Sequence, residues 1–286
     1  HGHTTWHLIP RSSPNQITSG TGSFIHMASS GHHTGAIDTE NRLYMWGHNN
    51  YGQLGINNTI SRSSPTQITG SWSMVEVGYE HTYAINTDGE LFAWGRNYAG
   101  SMATLGGNKS SPVQLIAGPT GANVPVGLVS WSNVKALDYG GIAQEASGNT
   151  VYVWGHNNIG QLGTGDVAAK SSFVAVGRHV AGHLHQKSWY NIDADIRHMV
   201  LYDENGDIYY SGTDTYGNKG RRKALNAEKN QRPNKSHPTQ INTVDESKWY
   251  YPQKLPTGAN TEFKQFSVGQ NHGLAIDSND KLWGWG

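Results

Sequence analysis

The chain is predicted to be all-β, a propeller of four-stranded antiparallel blades with five repeats visible, and three observations predict it. First, one signature returns five times in 286 residues: LYMWG at Leu43–Gly47, LFAWG at Leu91–Gly95, VYVWG at Val151–Gly155, IYYSG at Ile208–Gly212 and LWGWG at Leu282–Gly286. Second, fixed landmarks precede each copy. Ten positions before the leading aliphatic stand His33, His81, Gly141, His198 and His272, and an aromatic comes earlier still: Phe24, Trp72, Trp131, Trp189 and Phe263. Third, glycine turns punctuate short apolar runs, and amphipathic helical periodicity is hard to find. A period of this length marks stacked supersecondary units that bury a shared face. Antiparallel four-stranded units repeated around a centre make a propeller.

The elements follow in order. The first strand of each repeat is the segment SSPNQI at Ser12–Ile17, SSPTQI at Ser63–Ile68, SSPVQL at Ser110–Leu115, SSFVAV at Ser171–Val176 or SHPTQI at Ser236–Ile241. Its proline is expected at the strand start, where a missing N–H does least harm. The second strand follows the aromatic, as in Met74–Gly78 and Phe266–Gly269. A tight Gly-x-x-His turn, as in Gly78-Tyr79-Glu80-His81, leads to the third strand, Thr82–Asn86 and its equivalents. Asp88-Gly89 and Asn205-Gly206 then supply the positive φ angles of type I′ hairpins. The fourth strand is the aliphatic-to-Trp-Gly segment.

These residues and their order resemble the RCC1 repeat family, most clearly from Ser63 through Gly95. The loop HNNYGQLG at His48–Gly55, echoed as HNNIGQLG at His156–Gly163, completes the resemblance, which covers almost the whole chain. It departs where Gly141 stands for the third histidine, where Ser211 replaces the fourth tryptophan and where no loop follows the fifth copy. The resemblance implies seven blades. Five repeats leave two readings open, a five-bladed variant or two missing blades. One domain over 1–286 is expected, and the stop inside the last motif reads as a cut C-terminus. Alternatively, the ends meet, since the residues before Ser12 sit where a loop after Trp-Gly leads into the next strand.

Composition narrows the function. Charged residues are only 15%, against a usual share of ~25%, and 21 basic groups balance 21 acidic ones. A neutral Ser/Thr/Asn/Gly-rich surface argues against nucleic-acid binding, which needs a concentrated positive field. No run reaches the ~18 apolar residues of a membrane helix. Cysteine is absent, which excludes disulfides, thiolate metal sites and thiol nucleophiles. No GxSxG, HExxH, P-loop or dinucleotide motif occurs, and the expectation is no enzyme, no cofactor and no metal. His183-Leu184-His185, His1-Gly2-His3 and Asp203-Glu204-Asn205-Gly206-Asp207 each lack the further ligands a site needs. Asp193 and Asp195 share a strand face and read as solvated.

The recurrent residues read as structural, because a site used once does not need the same residue in every blade. His33, His81, His198 and His272 are expected to satisfy buried polar groups. Trp46, Trp94, Trp154 and Trp285 are expected to fill the space between blades.

Function is then expected in loops. Strand alternation puts the connection after each SSP strand on one face and the connection after Trp-Gly on the other. The first kind is enlarged in the last three repeats and carries Trp249, Tyr250 and Tyr251. The second is long after Gly217 and carries Lys219, Arg221, Arg222, Lys223, Lys229, Arg232 and Lys235, the one concentration of charge in the chain. These two sets are the candidate binding residues. The low-charge repeats look more like RCC1-type repeats of phages and bacterial surface proteins than like nuclear members with basic tails. The expected role is a non-enzymatic structural or adhesive module for host attachment, on a virion or an extracellular cell surface. It would contact proteins of an assembly or host, itself as a homo-oligomer, or a glycan, with no nucleic acid and no membrane insertion. The alternatives are a regulatory protein, either a nucleotide exchange factor or an inhibitor of a secreted enzyme, and a glycan-binding propeller.

Overall fold

The computed structural model describes residues 23–115 except 105, 129–176 except 148–149, 189–203 except 196, and 208–212, 235–240, 263–269 and 272–285. Among them are nineteen strands and no helix. The first sheet is β1 (Phe24–Ser29), β2 (His33–Asp38), β3 (Leu43–Gly47) and β4 (Arg62–Ile68). The second is β5 (Trp72–Val77), β6 (His81–Asn86), β7 (Leu91–Gly95) and β8 (Lys109–Gln114). The third is β9 (Trp131–Leu137), β10 (Gly140–Glu145), β11 (Val151–Gly155) and β12 (Lys170–Ala175). The fourth is β13 (Trp189–Asp195), β14 (His198–Asp203), β15 (Ile208–Gly212) and β16 (Lys235–Gln240). The fifth has three strands, β17 (Phe263–Gly269), β18 (His272–Asp277) and β19 (Leu282–Trp285). Every pairing is antiparallel between chain neighbours, the meander of a blade.

Sheet and sequence repeat are out of phase. The SSP strand was expected to open its own repeat. Instead β4 pairs with β3, Leu43 opposite Ile68 and Gly47 opposite Arg62, as the outer strand of the preceding blade. The intervening loop lets the chain turn back antiparallel before it moves on. Pro65 lies inside β4 rather than at its start. It is tolerated because β4 is an edge strand and the ladder is irregular between Thr66 and Arg62. Asn205-Gly206 lies outside the described residues, and the Asp88-Gly89 hairpin differs from expectation. Only Gly89 has a positive φ, and its N–H reaches the Asn86 carbonyl at 3.1 Å, so the turn is longer than type I′. Asn41 and Asp280 hold the same left-handed position in their blades.

The inner strands β1, β5, β9, β13 and β17 pack side by side in that order. The core lies between blades rather than within them. Trp72, Val75 and Trp94 of the second sheet pack on Ile37, Leu43 and Met45 of the first. Trp131 and Trp154 pack on Tyr83, Ile85 and Leu91 in the same way. Two further clusters join sheets three to four and four to five. Each buried aromatic is worth about 2–3 kcal/mol of hydrophobic transfer, so stability resides in the seams.

Candidate functional site

The repeated polar residues form those seams. The His33 ring nitrogen Nε2 lies 2.8 Å from the Thr82 hydroxyl of the next blade, and that hydroxyl donates to the Gln53 carbonyl at 2.8 Å. The Trp94 indole N–H donates to the same carbonyl at 2.8 Å. One blade later, the Trp154 indole donates to Ser101 O at 3.0 Å. In the fourth blade the serine that replaces tryptophan keeps the bond: Ser211 Oγ donates to Gln161 O at 3.0 Å. Asn49 and Asn157 hold these loops from inside, each wholly buried, with Oδ1 accepting from Leu54 and Leu162.

The expected role of the histidines needs two amendments. Strand register places Gly140, not Gly141, at the histidine position, opposite Gly155, because the third hairpin is one residue longer. Gly141 stands opposite Trp154, where Thr82 stands opposite Trp94. With no hydroxyl there, both His81 ring nitrogens are buried without a hydrogen-bond partner. Burial holds His33 down at about 3, reinforced by the neighbouring imidazoles, and holds His81 and His198 at about 4. His272 and Trp46, by contrast, are exposed and half-buried, since no described sheet packs on that side of the fifth and first sheets. Of Trp285 only the backbone pairing, with Gly273, is described. Asp193, read as solvated, is instead half-buried. It accepts the Val268 N–H at 2.9 Å across a seam, and burial raises its carboxyl.

The candidate contact residues Lys219, Arg221, Arg222, Lys223, Lys229, Arg232, Trp249, Tyr250 and Tyr251 lie outside the described residues, and so does the side chain of Lys235. Another site comes into view on the face where β1–β2-type turns and the loops after Trp-Gly meet. His32 packs against His48 at 5.8 Å between ring centroids and against Tyr79 at 4.7 Å. Tyr79 continues to Tyr139 at 5.9 Å, and Tyr139 to Tyr98 at 4.8 Å. Tyr98 continues to His156 at 6.0 Å. The Arg96 guanidinium lies 4.7 Å from the Tyr51 ring and 5.3 Å from that of Tyr98, and pairs with Glu80 at 2.5 Å.

This band crosses three blades, and Tyr98 and Tyr79 stay 46% and 40% exposed within it. Its rings brace one another, so contact with a partner orders little that is not already ordered. Tyrosine and arginine are the residue types that dominate protein-contact energetics. Sequence reading missed the band because its members fill the variable positions beside the repeated ones. The signal available was strand parity, which puts the Gly-x-x-His turns and the loops after Trp-Gly on one face. Among the described residues, no three His, Asp or Glu side chains converge as a metal site.

The seams and the offset blades define a propeller-type repeat protein. Two models of the regulator of chromosome condensation (RCC1) repeat match it, one over residues 40–85, the other over 24–53 and 75–101. Residues 24–101 thus match the RCC1 repeat. Among solved structures, human WBSCR16 is similar with a TM-score of 0.70 and 17% identity, over 92% of this chain and 60% of that one. Yeast RCC1 (Prp20) in complex with Kap60 is similar with a TM-score of 0.52 and 19% identity, over 92% and 70%. Prp20p from Saccharomyces cerevisiae, in a study of its binding to Gsp1p and histones, gives 0.51 and 19%, over 92% and 72%. These likenesses establish the fold, and the chain spans about 60% of the length of the first.

Proposed function

We propose that this chain is a non-enzymatic protein-binding propeller, and that the band of His32, Tyr79, Tyr139, Tyr98 and Arg96 is its contact surface. The observation that carries the reading is the exposure of Tyr79 and Tyr98 within a braced aromatic row around a guanidinium. The neutral charge balance assigns the contact to shape and aromatic packing rather than to long-range steering. The solved RCC1 described above was determined with Kap60 and studied with Gsp1p and histones, which supports a protein as the class of partner. The proposed setting is a virion or cell surface, where a low-charge Asn/Ser/Thr-rich repeat serves as a structural or adhesive module.

Photo-crosslinking tests the surface. A benzophenone side chain at position 98 in the native particle or cell should label one protein, identified by mass spectrometry, and Tyr79→Ala should weaken that labelling by tenfold or more, as losing an anchor of about 1.4–2 kcal/mol does. Equal labelling from exposed Val167 would overturn the reading. A regulatory role predicts faster nucleotide release from a Ran-type GTPase, and a glycan role predicts retention on a glycan array. Neither is expected.

A further inference from the structure

The aromatic band holds hydrogen-bond donors that the molecule does not use. The partly exposed Arg96 side chain donates through Nη1 to Glu80 and makes no other hydrogen bond among the described residues. The hydroxyls of Tyr79, Tyr98 and Tyr139 make none among them either. The rings are nonetheless fixed. Tyr139 lies 5.9 Å from Tyr79 and 4.8 Å from Tyr98, and the Arg96 guanidinium bears on Tyr98 and Tyr139 at 5.3 and 6.0 Å. Such a surface offers apolar faces and donors together, and what it lacks is acceptors.

The local charges decide which acceptors fit. Tyr139 feels the carboxylates of Asp138 and Glu80 against the one guanidinium of Arg96, which Glu80 already holds. Beyond them, Asp195 and Arg197 both act on Asp138 with opposite sign. A carboxylate or phosphate entering here would meet two fixed carboxylates, and the cost of taking it out of water would not be returned. The acceptors are therefore uncharged. Peptide carbonyls meet that condition. They stand free of internal partners in one regular conformation, polyproline II, whose prolines bring no N–H of their own.

On the reading that this band is the contact surface, we propose that it takes an uncharged, proline-rich segment of the partner in the polyproline II conformation, with prolines packed on Tyr79 and Tyr98 and carbonyls facing Arg96 and the tyrosine hydroxyls. The dimensions fit. The two exposed rings are no farther apart than their spacings to Tyr139, 5.9 and 4.8 Å, laid end to end. One polyproline II turn of three residues advances about 9 Å, so residues i and i+3 reach both rings and the pair between them lies over Tyr139. Entropy agrees as well, since braced rings and a stiff ligand both order little on contact.

A capped peptide of ten prolines, which carries no charge, tests this on the full chain with 13C-labelled tyrosine rings, assigned through Tyr79→Phe and Tyr98→Phe. The Tyr79 and Tyr98 signals should shift saturably at submillimolar peptide, while Tyr190, 71% exposed on β13 and outside the band, stays still. Tyr98→Ala should weaken the affinity by tenfold or more, and Arg96→Lys, which keeps the charge but loses the planar fork, should weaken it by about threefold. A capped Gly-Ser peptide of the same length should move nothing. No saturable shift with the proline peptide, or an equal one with Gly-Ser, overturns the proposal. Tighter binding of a capped lysine or glutamate decamer overturns it in favour of a charged ligand. Its failure is separable from that of the contact surface: if the proline peptide does not bind while position 98 still crosslinks to a protein, only the ligand chemistry falls, and if both are lost the surface falls with it.

Discussion

At the residue scale the protein is held by carbonyls that two side chains share. Gln53 O receives both the Thr82 hydroxyl and the Trp94 indole, so the loop of one blade caps the next. Thr82→Val keeps the volume but leaves that carbonyl with one donor and the His33 Nε2–H without its Thr82 acceptor. It is expected to lower unfolding free energy by about 1–3 kcal/mol, and Thr82→Ser should recover most of it, both read from urea midpoints at constant m. Ser211→Ala removes the one hydroxyl that keeps the fourth blade's bond to Gln161 O. A loss of about 1 kcal/mol is expected. No measurable change would show that the serine is only a decayed tryptophan.

At the element scale the turns are specified by atoms that approach too closely for a side chain. A Cβ on Gly78 would lie 2.2 Å from His81 Cε1 and 2.4 Å from its Nε2, because the Gly78 N–H closes on the His81 carbonyl at 2.9 Å and brings the ring over the glycine. Gly78→Ala is therefore expected to cost about 1–3 kcal/mol by forcing the ring or the turn to shift. Asn49→Ala removes the donor to Asn58 O and Ile60 O and the acceptor of the Leu54 N–H. It should destabilise far more than Asn50→Ala at the exposed neighbouring position, and a thermal melt of the pair decides it. The hairpins depend on carboxylate or amide caps that motif reading passed over. Asp38, Asn86 and Asp277 each accept two N–H groups through one oxygen. The Asp-Gly dipeptide was legible as a turn. Its type was set by these caps, a second bond per turn that no dipeptide encodes.

At the scale of the whole molecule, three buried neutral imidazoles make the seams sensitive to acid. His33, His81 and His198 have folded pKa values lowered from 6.5 to about 3, 4 and 4. As pH falls below 6.5 the unfolded chain binds protons that the folded chain refuses. Their stabilisation is therefore complete above 6.5 and is lost as pH falls towards 4, and towards 3 for His33. Each contributes a slope of up to about 1.4 kcal/mol per pH unit in that window. Urea midpoints between pH 7.5 and 4.5 should fall steeply, and His198→Gln should flatten the slope by roughly one imidazole. Because the cores lie between blades, damage at one seam should spread to its neighbours before the whole molecule. Hydrogen exchange after Thr82→Val is expected to rise first in β2, β6 and β7.

The recurring unit and the all-β class were determined by the sequence alone, because each rests on a local pattern that recurs. His33, His81, Trp94 and Trp154 entered the core as their recurrence required. What only tertiary structure decided is everything that depends on a neighbour: the phase between repeat and blade, the partner each histidine finds or lacks, the bond from Val268 to Asp193 across a seam and the aromatic band. Residues such as Tyr79, Tyr98 and Tyr139 lie far apart along the chain and share no motif. They meet because alternating strands deliver their loops to one face, and adjacency across a seam is a property of packing that no single repeat contains.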